Sequence, residues 1–104
     1  MRWYKHLYVG EQARKKRYAL ISRIRYRKLQ RDAYVITLAE SGNNLLEIYS
    51  SYALLSPWMK EEDLLILGIA CGKEEAMELA GRIVMDVYRA TGGFLLRPYF
   101  QEGR

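Results

Sequence analysis

Residues 64–71 read LLILGIAC, a run of apolar and small residues that is followed at once by Gly72. Such a run is typical of a β-strand buried on both faces, because a strand with one face in water alternates polar and apolar side chains. From Lys73 to about Thr91 the apolar residues recur at the helical period instead. This strand and this helix are the two elements around which the rest of the chain is interpreted.

The helix predicted after residue 72 separates its apolar and charged side chains clearly, and it ends at Gly92-Gly93, a common helix stop. Residues 94–100, FLLRPYF, then read as a last strand, which Pro98 either places at a sheet edge or ends early. Strand, helix and strand together predict a right-handed parallel βαβ unit.

The first third of the chain predicts a strand followed by a basic helix. Residues 3–9, WYKHLYV, roughly alternate in polarity and indicate a short strand that Gly10 ends; the alternative is a frayed extension of the helix that follows. From Glu11 to about Arg31 the apolar residues recur at helical spacing, without Gly or Pro. Several Lys and Arg residues fall on the opposite side of this helix.

Residues 33–40 and 45–51 are β-prone and enclose the turn formers SGNN at 41–44, so they predict a β-hairpin. Residues 52–63 are interpreted as a short helix or an irregular connection. The element order is then β-α-β-β-(α)-β-α-β. Because each main helix has a single apolar side, we expect a two-layer α+β fold, a mixed sheet of about five strands with both main helices on one face.

This arrangement is a variant of the ferredoxin-like fold, an architectural likeness that carries no function. With 104 residues the chain is expected to form a single domain, 1–104. Cys71 is the only cysteine, which excludes an intramolecular disulfide. The N-terminal residues lack the apolar core of a signal peptide, and the apolar run at 64–71 is far shorter than the ~20 residues that span a bilayer. We therefore expect a soluble, cytoplasmic protein with no membrane contact.

Charge is distributed very unevenly along the chain. Residues 1–32 hold 11 Lys and Arg against two acids, whereas residues 33–104 hold six against ten. Positive charge at this density attracts polyanions by releasing their counterions. Tyr18 and Tyr26, interleaved among the basic residues, could stack on unpaired bases.

The leading functional hypothesis is a non-enzymatic binding module whose basic first helix contacts an anionic partner, either nucleic acid or an acidic protein. The expected central contacts are Lys16, Arg23 and Arg27, supported by Arg14, Lys15 and Arg31. The sequence contains no RNP-type motif, GXXG loop or zinc knuckle, so phosphate contacts would give affinity without base specificity. The alternative interpretation is an ordinary solvated helix surface.

Two further hypotheses come from other classes of protein. A small-molecule or enzymatic site could lie at the strand–helix junction from Cys71 to Glu75, where a helix N-terminus can hold an anion and lower the pKa of a thiol. A structural subunit could instead self-associate through an aromatic sheet face or an edge strand, for example as a homodimer. We identify no catalytic residues, metal ligands or cofactor site, and His6 is the only histidine. An enzyme is therefore not the favoured prediction.

Overall fold

The computed structural model describes residues 1–28, 32–39, 45–59 and 64–101. They form a sheet of four strands, β1 (Arg2–Val9), β2 (Ala33–Leu38), β3 (Leu46–Ser50) and β4 (Leu65–Cys71). The helices are α1 (Glu11–Arg14), α2 (Arg17–Arg25), α3 (Lys73–Thr91) and α4 (Leu96–Gln101), with a 3-10 helix at Ala53–Leu55. The predicted α+β class, a mixed sheet with two main helices, is confirmed.

The strand order is β1-β4-β2-β3, so β4 lies inside the sheet. It pairs parallel with β1 and antiparallel with β2, and its first six residues are buried. The hairpin is confirmed as the antiparallel pair of β2 and β3, in which Ile36 lies opposite Ile48. The predicted turn at 41–44 falls outside the described residues. The apolar run at 64–71 thus forms the doubly covered strand that its composition predicts.

Alternate residues of the strands pack into two apolar clusters, one on each face of the sheet. On β2, Ile36 and Leu38 join the cluster that α3 and α4 complete. Their neighbours Ala33 and Val35 join the cluster that α1 and α2 complete. The helices therefore cover opposite faces of the sheet rather than one face as expected. The physical reason is that a strand such as β4, apolar on both sides, needs cover on both.

Residues 94–100 do not form the expected fifth strand, because most of this segment folds into α4. Leu96 and Phe100 are one helical turn apart and both are buried, at 3% and 0% exposure. Pro98 is the third residue of α4, where its missing N–H leaves no helical hydrogen bond unmade. The predicted βαβ unit is thus absent from the described residues, and the parallel neighbour of β4 is β1 instead.

The single helix expected from Glu11 to about Arg31 is divided into α1 and α2. Lys16, at the division, has φ −132° and ψ 31°, outside the helical region. Residues 14–17 are four consecutive cations, and in an unbroken helix Arg14 and Arg17 would repel each other across one turn. Beyond α2 the backbone turns at Arg27, with φ 58°. Arg31 lies outside the described residues.

Candidate functional site

The exposed cations of the first 28 residues lie on β1, α1, α2 and the turn that follows α2. All ten are exposed, and we call them the basic surface, which consists of Arg2, Lys5, Arg14, Lys15, Lys16, Arg17, Arg23, Arg25, Arg27 and Lys28. Glu11 is the one carboxylate that the sequence provides within residues 1–28. Apart from Arg27, none of these cations forms an ion pair with a described residue. Most of this charge is therefore directed to solvent and left uncompensated.

The predicted contact residues are not equivalent in the structure. Arg14, Lys15, Lys16 and Arg23 are exposed on α1, α2 and the break between them, and none of their side chains donates a hydrogen bond to a described residue. The guanidinium Nη2 of Arg27, in contrast, donates to the carbonyl oxygen of Leu54 over 3.2 Å. Arg27 thus connects the end of α2 to the 3-10 helix, a structural role that the sequence did not indicate.

Helix α2 offers most of its circumference to solvent. Within its nine residues only Leu20 and Ile24 are buried, and Ile21 is half-buried. These three side chains pack toward the sheet and hold the helix in place. A helix that is polar on most sides is suited to a solvated or partner-binding role rather than to the interior of a core.

A shallow groove of about 330 Å³ runs between the edge strand β1 and α2, and its walls include Lys5, His6, Arg17, Tyr18 and Ile21. The Tyr18 side chain is 74% exposed. The centre of its ring lies 4.9 Å from the guanidinium carbon of Arg17. Nη2 of the same guanidinium donates a hydrogen bond to the Tyr18 hydroxyl over 3.0 Å. On the same helix Arg25 lies 5.7 Å from the ring centre of Trp3. The groove therefore combines cations with the exposed ring of Tyr18, and the sequence alone did not locate it.

A second concave region lies where β1 and β4 end. The two strands are parallel neighbours, and the chain leaves them toward opposite faces of the sheet, into α1–α2 and into α3. In open α/β sheets a crevice opens at such a switch point, and ligands often bind there. Here the crevice has a volume of about 640 Å³ and brings Gly10–Gln12 together with Cys71–Glu75. The Cys71–Glu75 junction, predicted as an alternative site, thus lines this crevice.

The carboxylate of Glu75 connects the two sides of this crevice. Its Oε2 accepts from the backbone N–H of Gln12 over 2.7 Å. Its Oε1 accepts from the N–H groups of Ala13 over 3.3 Å and Cys71 over 3.0 Å. The chain's own carboxylate therefore sits where the amide groups of the first turn of α1 would otherwise face a bound anion. No local sequence signal reveals this contact, because Glu75 lies more than 60 residues from α1.

Two groups have pKa values that depart from their ordinary range. Burial is the largest cause of the raised pKa of the Cys71 thiol; the charges of Glu75 and Asp32 raise it further, while Lys16 lowers it. Burial also raises the pKa of Tyr8, whose hydroxyl donates to Asp86 Oδ2 over 2.8 Å. The thiol is therefore less ionised than a free cysteine, which opposes a nucleophilic role.

Neither a metal-binding cluster nor a membrane-spanning helix is found in the described ranges. These residues contain no group of three or more His, Cys, Asp or Glu side chains placed to hold a metal ion. None of the helices in the described part of the chain is both long and apolar enough to cross a membrane.

Comparisons of the chain with protein-family models, curated proteins and solved structures give no match. Its function therefore has to be argued from the basic surface and the crevice themselves.

Proposed function

We propose that this protein is a nucleic-acid-binding module that holds single strands on its basic surface, with little base specificity. The observation that carries the proposal is the set of ten exposed cations on residues 1–28, opposed by a single acid within the same residues. A surface with this excess of charge gains affinity for a polyphosphate each time a phosphate displaces counterions.

The aromatic rings favour a single strand over other polyanions. Tyr18 is 74% exposed and Tyr26 is 69% exposed, so both rings can reach a base. Paired bases in a duplex hide their faces, whereas unpaired bases stack on such rings with about 1–3 kcal/mol each. An acidic protein would use the cations but would gain nothing from base stacking. The groove beside β1, with Lys5, Arg17 and Tyr18 in its walls, offers phosphate and base contacts together.

The experiment is fluorescence-anisotropy binding to labelled single- and double-stranded DNA and RNA across a salt series. In the variant Lys15→Ala, Lys16→Ala, Arg23→Ala we expect at least tenfold weaker binding to single strands. We also expect a log–log salt slope shallower by about 2, since each lost phosphate contact on a single strand removes about 0.7. These side chains donate no hydrogen bonds to described residues, so the fold should be unaffected.

The matched control is Lys15→Arg, Lys16→Arg, Arg23→Lys, which keeps every charge and should keep both affinity and slope. Tyr18→Ala separates stacking from charge, because it should weaken binding at least fivefold and leave the slope unchanged. Absence of binding to every nucleic acid at low salt would reject the proposal and leave an acidic protein as the candidate partner. Equal affinity for duplex and single strand, insensitive to Tyr18→Ala, would reject the single-strand assignment.

A second candidate function, favoured by the crevice at the ends of β1 and β4, is the binding of a small molecule near Cys71–Glu75. Four glutamates and two cations line this crevice. The excess of carboxylates, and the position of the Glu75 carboxylate on the α1 amides, favour a neutral or cationic ligand over a phosphate. The raised pKa of Cys71 favours binding over thiol catalysis.

This candidate requires that the crevice be open in the folded protein, and Cys71 is a built-in reporter of that. A neutral alkylating reagent at pH 7.5 should label Cys71 in the native state, several-fold more slowly than it labels an unstructured cysteine peptide, because less of the thiol is ionised. Mass spectrometry follows the reaction. Labelling that occurs only at the rate of global unfolding would show a closed crevice and remove this candidate.

A further inference from the structure

Helix α3 has a second apolar side that the described chain leaves uncovered. Its inner side packs in the core through Ala76, Leu79, Ile83 and Val87. A second set of residues recurs at helical spacing on another side of α3, about 150° around the helix axis from the inner side. We define this outer stripe as Met77, Gly81, Met85 and Tyr88, continued beyond the helix by Phe94 and Leu95.

The large side chains of the outer stripe are exposed to an unusual degree. Met77 is 59% exposed, Met85 43% and Tyr88 44%. Phe94 stacks on Tyr88, with ring centres 5.1 Å apart, and is itself 48% exposed, while Leu95 is 73% exposed. Together these five side chains leave on the order of 500 Å² of apolar surface in water, which is in the range of the functional patches of monomeric proteins.

Gly81 lies in the middle of the outer stripe and of the helix. A Cβ added to it would meet nothing within 4 Å. Glycine in a helix interior is less favourable than alanine, and no contact within the described chain requires it here. A glycine at such a position is useful where a second helix backbone approaches closely.

We propose that two copies of this protein pair through the outer stripe, with their α3 helices antiparallel and Gly81 next to the two-fold axis. In such a pair, positions equally far before and after Gly81 face each other. Met77 of one copy therefore faces Met85 of the other. The methionines fill the space on either side of the close backbone contact, as adaptable apolar side chains do.

The charges beside the outer stripe favour a second copy as the occupant. Along one flank the first half of α3 carries Glu74 and Glu78 and the second half carries Arg82 and Arg89, all four exposed. The antiparallel pair brings Glu74 to within about one residue of the level of Arg89 of the second copy, and Glu78 to within about two residues of the level of its Arg82. These offsets, about 1.5 and 3 Å along the helix axis, are short enough for the long side chains to span. In a parallel pair this flank of one copy would instead face the other flank of the second copy, so these charges would not meet. The flank is thus complementary to itself in only one of these two directions.

The existing contacts of these arginines do not prevent the pairing. Arg89 lies 3.8 Å from Asp86 in an exposed ion pair of the kind that contributes little. Arg82 lies 5.8 Å from the ring centre of Tyr8. The apolar stripe alone is smaller than the roughly 800 Å² per partner of a standard interface, so we expect a weak dimer with a Kd in the micromolar range.

Sedimentation velocity of the full chain between about 1 µM and 500 µM tests the proposal, since a micromolar Kd lies within this range. We expect a monomer–dimer equilibrium that Met85→Glu weakens at least a hundredfold. Gly81→Ala should raise the Tm by about 4 °C, because alanine is the better helix former, and yet weaken the dimer at least tenfold. A higher Tm together with a weaker dimer in the same variant distinguishes an interface from a purely structural role. Trp58→Glu, a change at an 88% exposed side chain elsewhere, is the matched control and should leave the Kd unchanged.

The charge pairing has its own test. Glu74→Arg and Arg89→Glu should each weaken the dimer about tenfold, and the double variant should recover the wild-type Kd within a factor of two. A monomer up to 500 µM would overturn the proposal. A dimer whose Kd is unchanged by Met85→Glu and Gly81→Ala would place the interface elsewhere and overturn it as well.

Discussion

Replacement of Glu75 by alanine is expected to lower the free energy of unfolding by about 2–4 kcal/mol, although the side chain is only half-buried. Hydrogen bonds to a charged group contribute about 1.5–3 kcal/mol each. The carboxylate accepts from three backbone N–H groups, and the hydrogen bond from Gln12 is exposed to solvent. The variant leaves the amides of Ala13 and Cys71 without this acceptor. Urea denaturation measures the loss, and Glu75→Gln, which keeps one acceptor oxygen, should lose about half as much.

Gly10 provides an independent test of the same contact. Its φ of −64° and ψ of 158° are open to any residue, so alanine causes no backbone strain. An added Cβ would, however, clash with Oε1 of Glu75 and push the carboxylate away. Gly10→Ala should therefore destabilise the protein, where a glycine-to-alanine change at a compatible φ otherwise stabilises by about 0.4–1 kcal/mol. Together with Glu75→Ala the effects should be strongly non-additive, and simple additivity would contradict the contact.

The Glu75 contact also connects stability to the proposed function. It fixes the start of α1 against the start of α3, and α1 leads directly into the cations at the break before α2. Loss of the contact should let the basic surface rearrange. We expect Glu75→Ala to weaken single-strand binding by a few-fold under conditions in which the variant is still folded, with an unchanged salt slope because no cation is removed.

The elements that the sequence predicted well are those whose own residue pattern shows which of their faces are buried. The apolar run of β4 has no polar residue to direct to water, and α3 has one face of core residues and a glycine stop at Gly92, which adopts φ 78°. The hairpin was found because turn formers separate two β-prone runs. In each case the decisive signal is local and lies within the element itself.

The elements that sequence reasoning missed depend on partners far along the chain. The segment FLLRPYF is short and apolar, and periodicity alone does not separate a strand from a helix at this length. The helix forms because Leu96 and Phe100 reach one cluster under α3. The crevice required the parallel pairing of β1 with β4, which no local pattern encodes. The placement of helices on both faces is, in contrast, implied by the doubly apolar β4, because a single apolar side on each helix does not determine which face of the sheet that helix covers.

The predicted binding residues show the same division. Exposure of Arg14, Lys15, Lys16 and Arg23 followed from their density in the sequence, because so many charges cannot be buried. The hydrogen bond of Arg27 to the 3-10 helix could not be predicted, since it depends on the end of α2 and on a loop 27 residues away. Charge density thus predicts which surface is basic, but not which cations are already engaged.

Phe100→Ala is expected to have the largest effect on stability, a loss of about 3–5 kcal/mol. The ring is fully buried in the cluster beneath α3 and meets Tyr4 edge-on, with ring centres 4.9 Å apart. Alanine leaves a cavity between α4 and the sheet that the surrounding elements cannot fill. Urea denaturation measures the loss, and Trp58→Ala, an aromatic truncation at an 88% exposed position, should change the unfolding free energy by less than about 0.5 kcal/mol.

The position of Phe100 separates this effect from that of Glu75. Phe100 lies on the face of the sheet covered by α3 and α4, whereas the basic surface lies on β1 and on the face covered by α1 and α2. Any Phe100→Ala molecules that remain folded should therefore bind single strands with wild-type affinity. A loss below about 1 kcal/mol would contradict the packing of α4 into the core, because a fully buried aromatic ring cannot be removed at so small a cost. A loss of affinity at full folding would contradict the assignment of binding to the opposite face.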